Sequence, residues 1–154
     1  WSMVPPLYVP AYVLRVPVHK IMSISLGVGS RLPAYCTSMG RVLMAGLPDE
    51  AACALLDASD RRALTRHTVT DLDALMARVR QVRQQGWCLV DQELEEGLIS
   101  LAAPITNRAG ETVAALNISG QANRSSARVM QAGMLPALLQ AARRISVLLG
   151  GAAR

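Results

Sequence analysis

The stretch Arg31-Leu32-Pro33-Ala34-Tyr35-Cys36-Thr37-Ser38-Met39-Gly40-Arg41-Val42-Leu43-Met44 decides how this chain is read. Proline cannot donate to a sheet ladder, so a preceding strand should end before Pro33. Thr37 or Ser38 is a natural helix N-cap, since a short hydroxyl accepts from the free N–H groups of a first turn. Met39, Val42 and Leu43 then form an apolar face at helical spacing. The stretch therefore reads as a bend delivering the chain into a helix. Exposed amides at such a start attract anions and carboxylates. Most N-caps bind nothing, so the surrounding chain has to decide whether this one is a site.

Working outward, 154 residues with 51% apolar content imply one domain with a sizeable core. No apolar run reaches the roughly 18 residues of a membrane span. The start, Trp1-Ser2-Met3-Val4-Pro5-Pro6, lacks the basic flank and small-residue cleavage site of a signal peptide. Cys36, Cys53 and Cys88 form no CxxC pair, and His19 and His67 fall in no ligand pattern, so neither metal nor cofactor is expected. Free thiols suit a reducing cytoplasm. A net charge of +5 invites a nucleic-acid reading, but the arginines form no dense stripe and only two Trp and three Tyr exist to stack on bases. They are expected on solvated helix faces.

Residues 1–10 carry three prolines and read as an irregular arm. Tyr12–Val18 and Ile21–Val28 read as neighbouring antiparallel strands. A helix follows from the opening stretch to about Leu47. Pro48-Asp49-Glu50 starts a second, with acids in its first turn. Thr70 is expected to cap a third, with Asp73 completing a variant capping box and Gly86 ending it. Leu72, Leu75, Met76, Val79 and Val82 share its apolar face.

Three strands come next: Trp87–Asp91, Leu98–Thr106 and Glu111–Ser119, the last two joined by Asn107-Arg108-Ala109-Gly110. Ser100 and Ala102 share one face, as do Ala115, Asn117 and Ser119. Bulky aliphatics collect on the other. A small polar face beside a sheet leaves room for a ligand, although a solvent-exposed face has the same pattern. Ser125–Leu149 reads as a long helix with Met130, Met134, Leu138, Ala141, Ile145 and Leu148 inward, kinked at Gly133 and Pro136. Residues 150–154 form a tail. The order β-β-α-α-α-β-β-β-α argues for an α+β fold, an antiparallel sheet flanked by helices.

The opening stretch resembles the R-L-P-x-x-x-T-A-x-G-K-x-L box of IclR-type bacterial transcription regulators. Gly86-Trp87-Cys88-Leu89-Val90-Asp91-Gln92-Glu93-Leu94-Glu95-Glu96-Gly97-Leu98 is similar to their G-Y-x-x-D-x-E-E-x-x-x-G-x segment. Ala102-Ala103-Pro104-Ile105 and Ala114-Ala115-Leu116-Asn117-Ile118-Ser119-Gly120 complete the pattern. The resemblance implies a GAF-like or profilin-like effector-binding domain over residues 11–149. It implies an N-terminal winged helix-turn-helix that this chain, with no such pattern before Tyr12, is expected to lack. DNA would then be met only through that missing domain. The details look most like the Pca/Pob branch, whose regulators respond to protocatechuate, p-hydroxybenzoate or β-ketoadipate. By resemblance, a small carboxylate effector is held by the backbone of Ser38, Met39 and Gly40, with Asp91, Ser100, Asn117 and Ser119 as side-chain contacts. The family position matched by Ser100 is often Cys, and that matched by Asn117 is often Ser. A homo-oligomer, dimer or tetramer, is implied as well.

Two functions stand against each other at this point. One is an effector-sensing and oligomerisation module, which binds a carboxylate without turnover. The other is a small cytoplasmic enzyme using Cys36 as nucleophile, its pKa lowered at the helix start. The enzyme lacks a placed general base, and the sensor is the reading preferred.

Overall fold

The structure, a computed structural model, describes residues 29–123 and 126–150. The expected arm at 1–10, the strands Tyr12–Val18 and Ile21–Val28, and the tail from 151 onward lie outside the described residues.

Helix α1 (Ser38–Ala45) starts where the bend predicts. Thr37 is the N-cap: its extended backbone lets Oγ1 accept from the Gly40 N–H at 3.3 Å while its hydroxyl donates to the Pro33 carbonyl at 2.7 Å. One side chain thus fixes both the bend and the helix. The helix ends at Ala45, two residues earlier than expected. Gly46 N–H and Leu47 N–H close tight turns onto Leu43 and Met44, and Pro48 bars continuation. Helix α2 (Asp49–Asp57) follows directly. Helix α3 (Leu72–Gln85) is capped by Asp71 rather than Thr70, because the Asp71 carboxylate reaches the Ala74 N–H at 2.9 Å. Gly86 ends α3 in the left-handed region, at φ +82, as a C-terminal glycine should. Asp49 binds Arg80 and Arg83 of α3, which hold its carboxyl below the usual range, and Arg83 also caps the Ala45 and Leu47 carbonyls.

Strands β1 (Cys88–Asp91), β2 (Leu98–Thr106) and β3 (Thr112–Gln121) form an antiparallel meander in the order β1-β2-β3 among the described residues. Asn107 makes the hairpin: its amide oxygen accepts from Ala109 and Glu111 N–H, and Gly110 takes the positive φ. The register pairs Ser100 with Ser119, Ala102 with Asn117, and Val90 with Ser100, so the small polar residues share one face.

Helix α1 covers that face, with α3 and α2 packed beyond it. Cys88, Val90 and Ala102 join Cys36, Val42, Met44, Leu56, Leu75 and Val79 in one core on this side. Ile99, Leu101 and Ala103 face the other way, onto Met130, Leu138 and Ala142 of α4 (Ala127–Leu148). Each fully buried aliphatic contributes roughly 1.5–3 kcal/mol over exposure, so both layers are needed. The result is the expected α+β architecture, a sheet with helices on both faces. The stripe that α4 buries differs from the expected one: Met130, Leu138, Ala142 and Ser146 are inside, while Met134 and Leu148 are exposed. The helix runs unbroken through Gly133 and Pro136.

Candidate ligand-binding site

Where α1 begins, the sheet beneath it carries mainly short side chains, which leaves a gap beside the point where Ser38 meets Ser100. A small, open-mouthed concave space lies between helix and sheet. Leu32, Cys36, Thr37, Ser38 and Met39 wall it on the α1 side, Val90, Ser100, Asn117 and Ser119 on the sheet side, and Leu94 and Leu98 at one end.

Five of the seven residues expected at a site are brought together here: Ser38, Met39, Ser100, Asn117 and Ser119. The Ser38 and Ser100 hydroxyls meet at 2.8 Å, and the Asn117 amide donates to the Ser119 hydroxyl at 3.3 Å. Gly40 does not reach the space, and its N–H is already bonded to the Thr37 hydroxyl. A capping bond and a ligand bond compete for the same amide, and the cap has it. The amides of Ser38 and Met39 are the ones that α1 leaves unused by its own hydrogen bonds, because the first turn of a helix has no preceding carbonyls. Asp91 is not brought in either. It lies exposed at the end of β1, its carboxylate accepting from the Gln92 side chain at 3.2 Å. Its neighbour Val90 takes the inward position, since successive residues of a strand alternate. Arg31, at the start of the opening stretch, is exposed.

Among the described residues, no lining side chain carries a formal charge. The amide end of α1 gives these residues a positive end, set against a wall of hydroxyls and one carboxamide. Such a lining can hold a carboxylate at one end and hydrogen-bond to hydroxyl or keto groups at the other, with Leu32, Met39, Val90, Leu94 and Leu98 supplying apolar contact.

Cys36 lines the space, but its thiol is not activated. Burial pushes its pKa up to about 12; the nearby Arg41 lowers it, and Glu93 raises it again. Burial outweighs the helix start, and the expectation of a lowered pKa is wrong. Cys88 and Tyr35, in the same core, are pushed to about 11 and about 12, also chiefly by burial. His67 is exposed beside Arg66, on a different segment.

The sequence reading missed the charged pair behind this wall. Arg41 was expected on a solvated face, yet it is 2% exposed and makes a two-pronged ion pair with Glu93, itself 7% exposed. The available signal was helical phase: Arg41 follows Thr37 by four and precedes Ala45 by four, on the side that faces inward.

An antiparallel sheet between helical layers, with an open pocket at a helix start, defines an α+β domain with a candidate ligand site. The sequence pattern of the family described as bacterial transcriptional regulator IclR C-terminal matches residues 10–147, and the chain belongs to that family. It is 47% identical over 126 residues to the Pca regulon regulatory protein of Pseudomonas putida, an alignment covering 82% of this chain and 43% of that protein. The chain therefore spans less than half the length of this relative. The crystal structure of RHA06195 from Rhodococcus sp. RHA1 superposes with a TM-score of 0.87 at 48% identity, covering 92% of this chain and 58% of that one. The inducer-binding domain of the PobR transcription factor from Acinetobacter, a double mutant in complex with 3-hydroxybenzoic acid, superposes with a TM-score of 0.74 at 35% identity, covering 77% of this chain and 70% of that one. Among the described residues no helix is long and apolar enough to cross a membrane.

Proposed function

We propose that this domain is the effector sensor of an IclR-type regulator of aromatic-acid catabolism, and that the pocket at the start of α1 takes a hydroxylated aromatic or keto carboxylate. The observation that carries the reading is the pocket's composition: Ser38 and Met39 of the first turn of α1 line it together with Ser100, Asn117 and Ser119, and no charged side chain lines it among the described residues. The carboxylate would sit at the Ser38 and Met39 amides, where the helix dipole favours negative charge. Ring hydroxyls would exchange bonds with the Ser100, Asn117 and Ser119 side chains. The likeness to an inducer-binding domain that holds 3-hydroxybenzoic acid supports the aromatic class. Occupancy would bias the arrangement of a cytoplasmic homo-oligomer and so reach a DNA-binding domain elsewhere in the full regulator.

Calorimetric titration tests this directly. Protocatechuate, p-hydroxybenzoate or 3-hydroxybenzoate should bind saturably, with the corresponding amides, which lack the negative charge, binding at least about tenfold more weakly. Asn117→Ala and Ser100→Ala should each weaken the preferred acid by a similar factor while leaving the melting temperature nearly unchanged. Binding that ignores both substitutions, or no binding by any aromatic or keto acid, would overturn the proposal.

A further inference from the structure

The Arg41 guanidinium joins two stretches of chain that are far apart in sequence. Its Nη1 and Nη2 donate to the two carboxylate oxygens of Glu93 at 2.8 and 2.6 Å. Its Nε donates to the Tyr35 carbonyl at 3.1 Å. Tyr35 immediately precedes Cys36, and Glu93 immediately precedes Leu94; both of those neighbours line the pocket. Neither charged side chain lines it. Glu93 is fixed from behind as well, since its Oε1 accepts from the Val69 N–H at 3.1 Å and its carbonyl from the Thr68 hydroxyl at 2.6 Å. The adjoining Gln92 sits at φ +60, a conformation unfavourable for a residue with a Cβ, held by the Thr65 hydroxyl on its carbonyl.

A buried ion pair contributes little net stability, because desolvation offsets attraction, and apolar residues of similar size serve a core as well or better. Its distinctive property is geometric: a planar fork permits one mutual orientation. We propose that Arg41 and Glu93 are a positioning pair that sets the separation of the two pocket walls, the Cys36–Met39 turn and the Leu94 segment. The purpose of that separation rests on the ligand-binding reading above; the device itself does not need a ligand to be observed.

Three variants of this chain test it: Arg41→Lys, which keeps the charge and loses the fork; Glu93→Gln, which keeps the shape and loses the charge; and the apolar double variant Arg41→Met/Glu93→Leu, which removes the burden of an unpaired charge and so guards against simple misfolding. Hydrogen exchange without ligand is the first readout. In all three, amides of residues 36–39 and 93–96 should exchange at least about tenfold faster, while those of 101–103, in the centre of β2, keep their protection. Affinity for 3-hydroxybenzoate is the second readout and should fall by about tenfold or more, including in the apolar double variant when its melting temperature equals that of the parent. Equal loss of protection at all three places, unchanged protection at the walls, or full affinity in the double variant would overturn the proposal. Should the parent chain bind no aromatic acid, the ligand reading fails, and the exchange pattern alone decides for or against the pair.

Discussion

A Cβ built on Gly40 would lie 2.3 Å from the Ala34 carbonyl oxygen and 2.4 Å from its Cα. The bend at Pro33–Tyr35 folds directly over the first turn of α1, and only glycine lets backbone rest on backbone there. This explains the glycine without giving its amide to a ligand. The motif made Gly40 look like a third amide donor; the capping bond from Thr37 and the contact with Ala34 show what the position does instead. No local signal in the sequence separates these roles, because both place glycine one turn into a helix. Gly40→Ala should lower the unfolding free energy by about 2 kcal/mol or more, the usual cost of overpacking against atoms that cannot yield. Gly133→Ala is the matched control. Among the described residues its Cβ would meet nothing within 4 Å on the exposed side of α4, so the helix should gain about 0.5–1 kcal/mol. Urea titrations of the two variants check both signs at once. A stable Gly40→Ala protein with an intact pocket would mean that the bend can move away from α1.

At the scale of elements, the ends of helices were harder to read than their existence. Two adjacent candidates, Thr70 and Asp71, could cap α3. Asp71 does so because its backbone is extended and its carboxylate reaches the Ala74 N–H. Thr70 has another task, its carbonyl accepting from the Arg61 side chain. Asp71→Ala should therefore cost about 1 kcal/mol and Thr70→Ala distinctly less, a difference that thermal unfolding can resolve. The strands were legible because period-two alternation on β2 and β3 leaves one register that puts Ile99, Leu101 and Ala103 on one side. For α4, apolar residues occur on nearly every side of the helix, and Val129, Met134, Val147 and Leu148 are all exposed. Periodicity alone could not choose among the stripes. The buried stripe includes a serine for a reason visible only in three dimensions. Ser146 donates to the Ala142 carbonyl and accepts from the Thr106 N–H, next to the irregularity in the β2–β3 ladder. A buried hydroxyl with both bonds made carries little cost, so it can occupy a position that pattern reading reserves for leucine. The pocket was legible for the same reason as the sheet: small residues at alternate positions of β2 and β3 must share a face. The Arg41–Glu93 pair was not, because its partners are 52 residues apart and each looks like an ordinary surface charge.

At the scale of the molecule, the sheet separates two cores, and among the described residues the buried thiols and phenol whose pKa is raised all lie on the α1 side. Cys36, Cys88 and Tyr35 surround the region where Arg41 enters, and burial raises all three above their ordinary values. The consequence for stability has a definite sign. A raised folded-state pKa means that the folded protein keeps protons which the unfolded chain releases, so stability is full below the unfolded pKa and falls as pH rises toward the folded one. For the thiols that window opens near 9.0 and closes near about 11 for Cys88 and about 12 for Cys36; the phenol of Tyr35 follows from 10.0 to about 12. Urea unfolding should thus be nearly independent of these groups up to pH 8. Above pH 9 the unfolding free energy should decline, by up to about 1.4 kcal/mol per pH unit for each thiol in its window. Cys36→Ala and Cys88→Ala each remove one proton from the balance. Each should flatten the alkaline limb relative to the parent chain, whatever its offset in stability at neutral pH. The same variants bear on the pocket. Cys36 is a wall residue with a neutral thiol, so Cys36→Ala should change the affinity for an aromatic acid only through packing, with no pH dependence between 7 and 9. An affinity that tracked thiol ionisation in that range would show Cys36 to be exposed and activated, and would restore the nucleophile that burial at this helix start argues against.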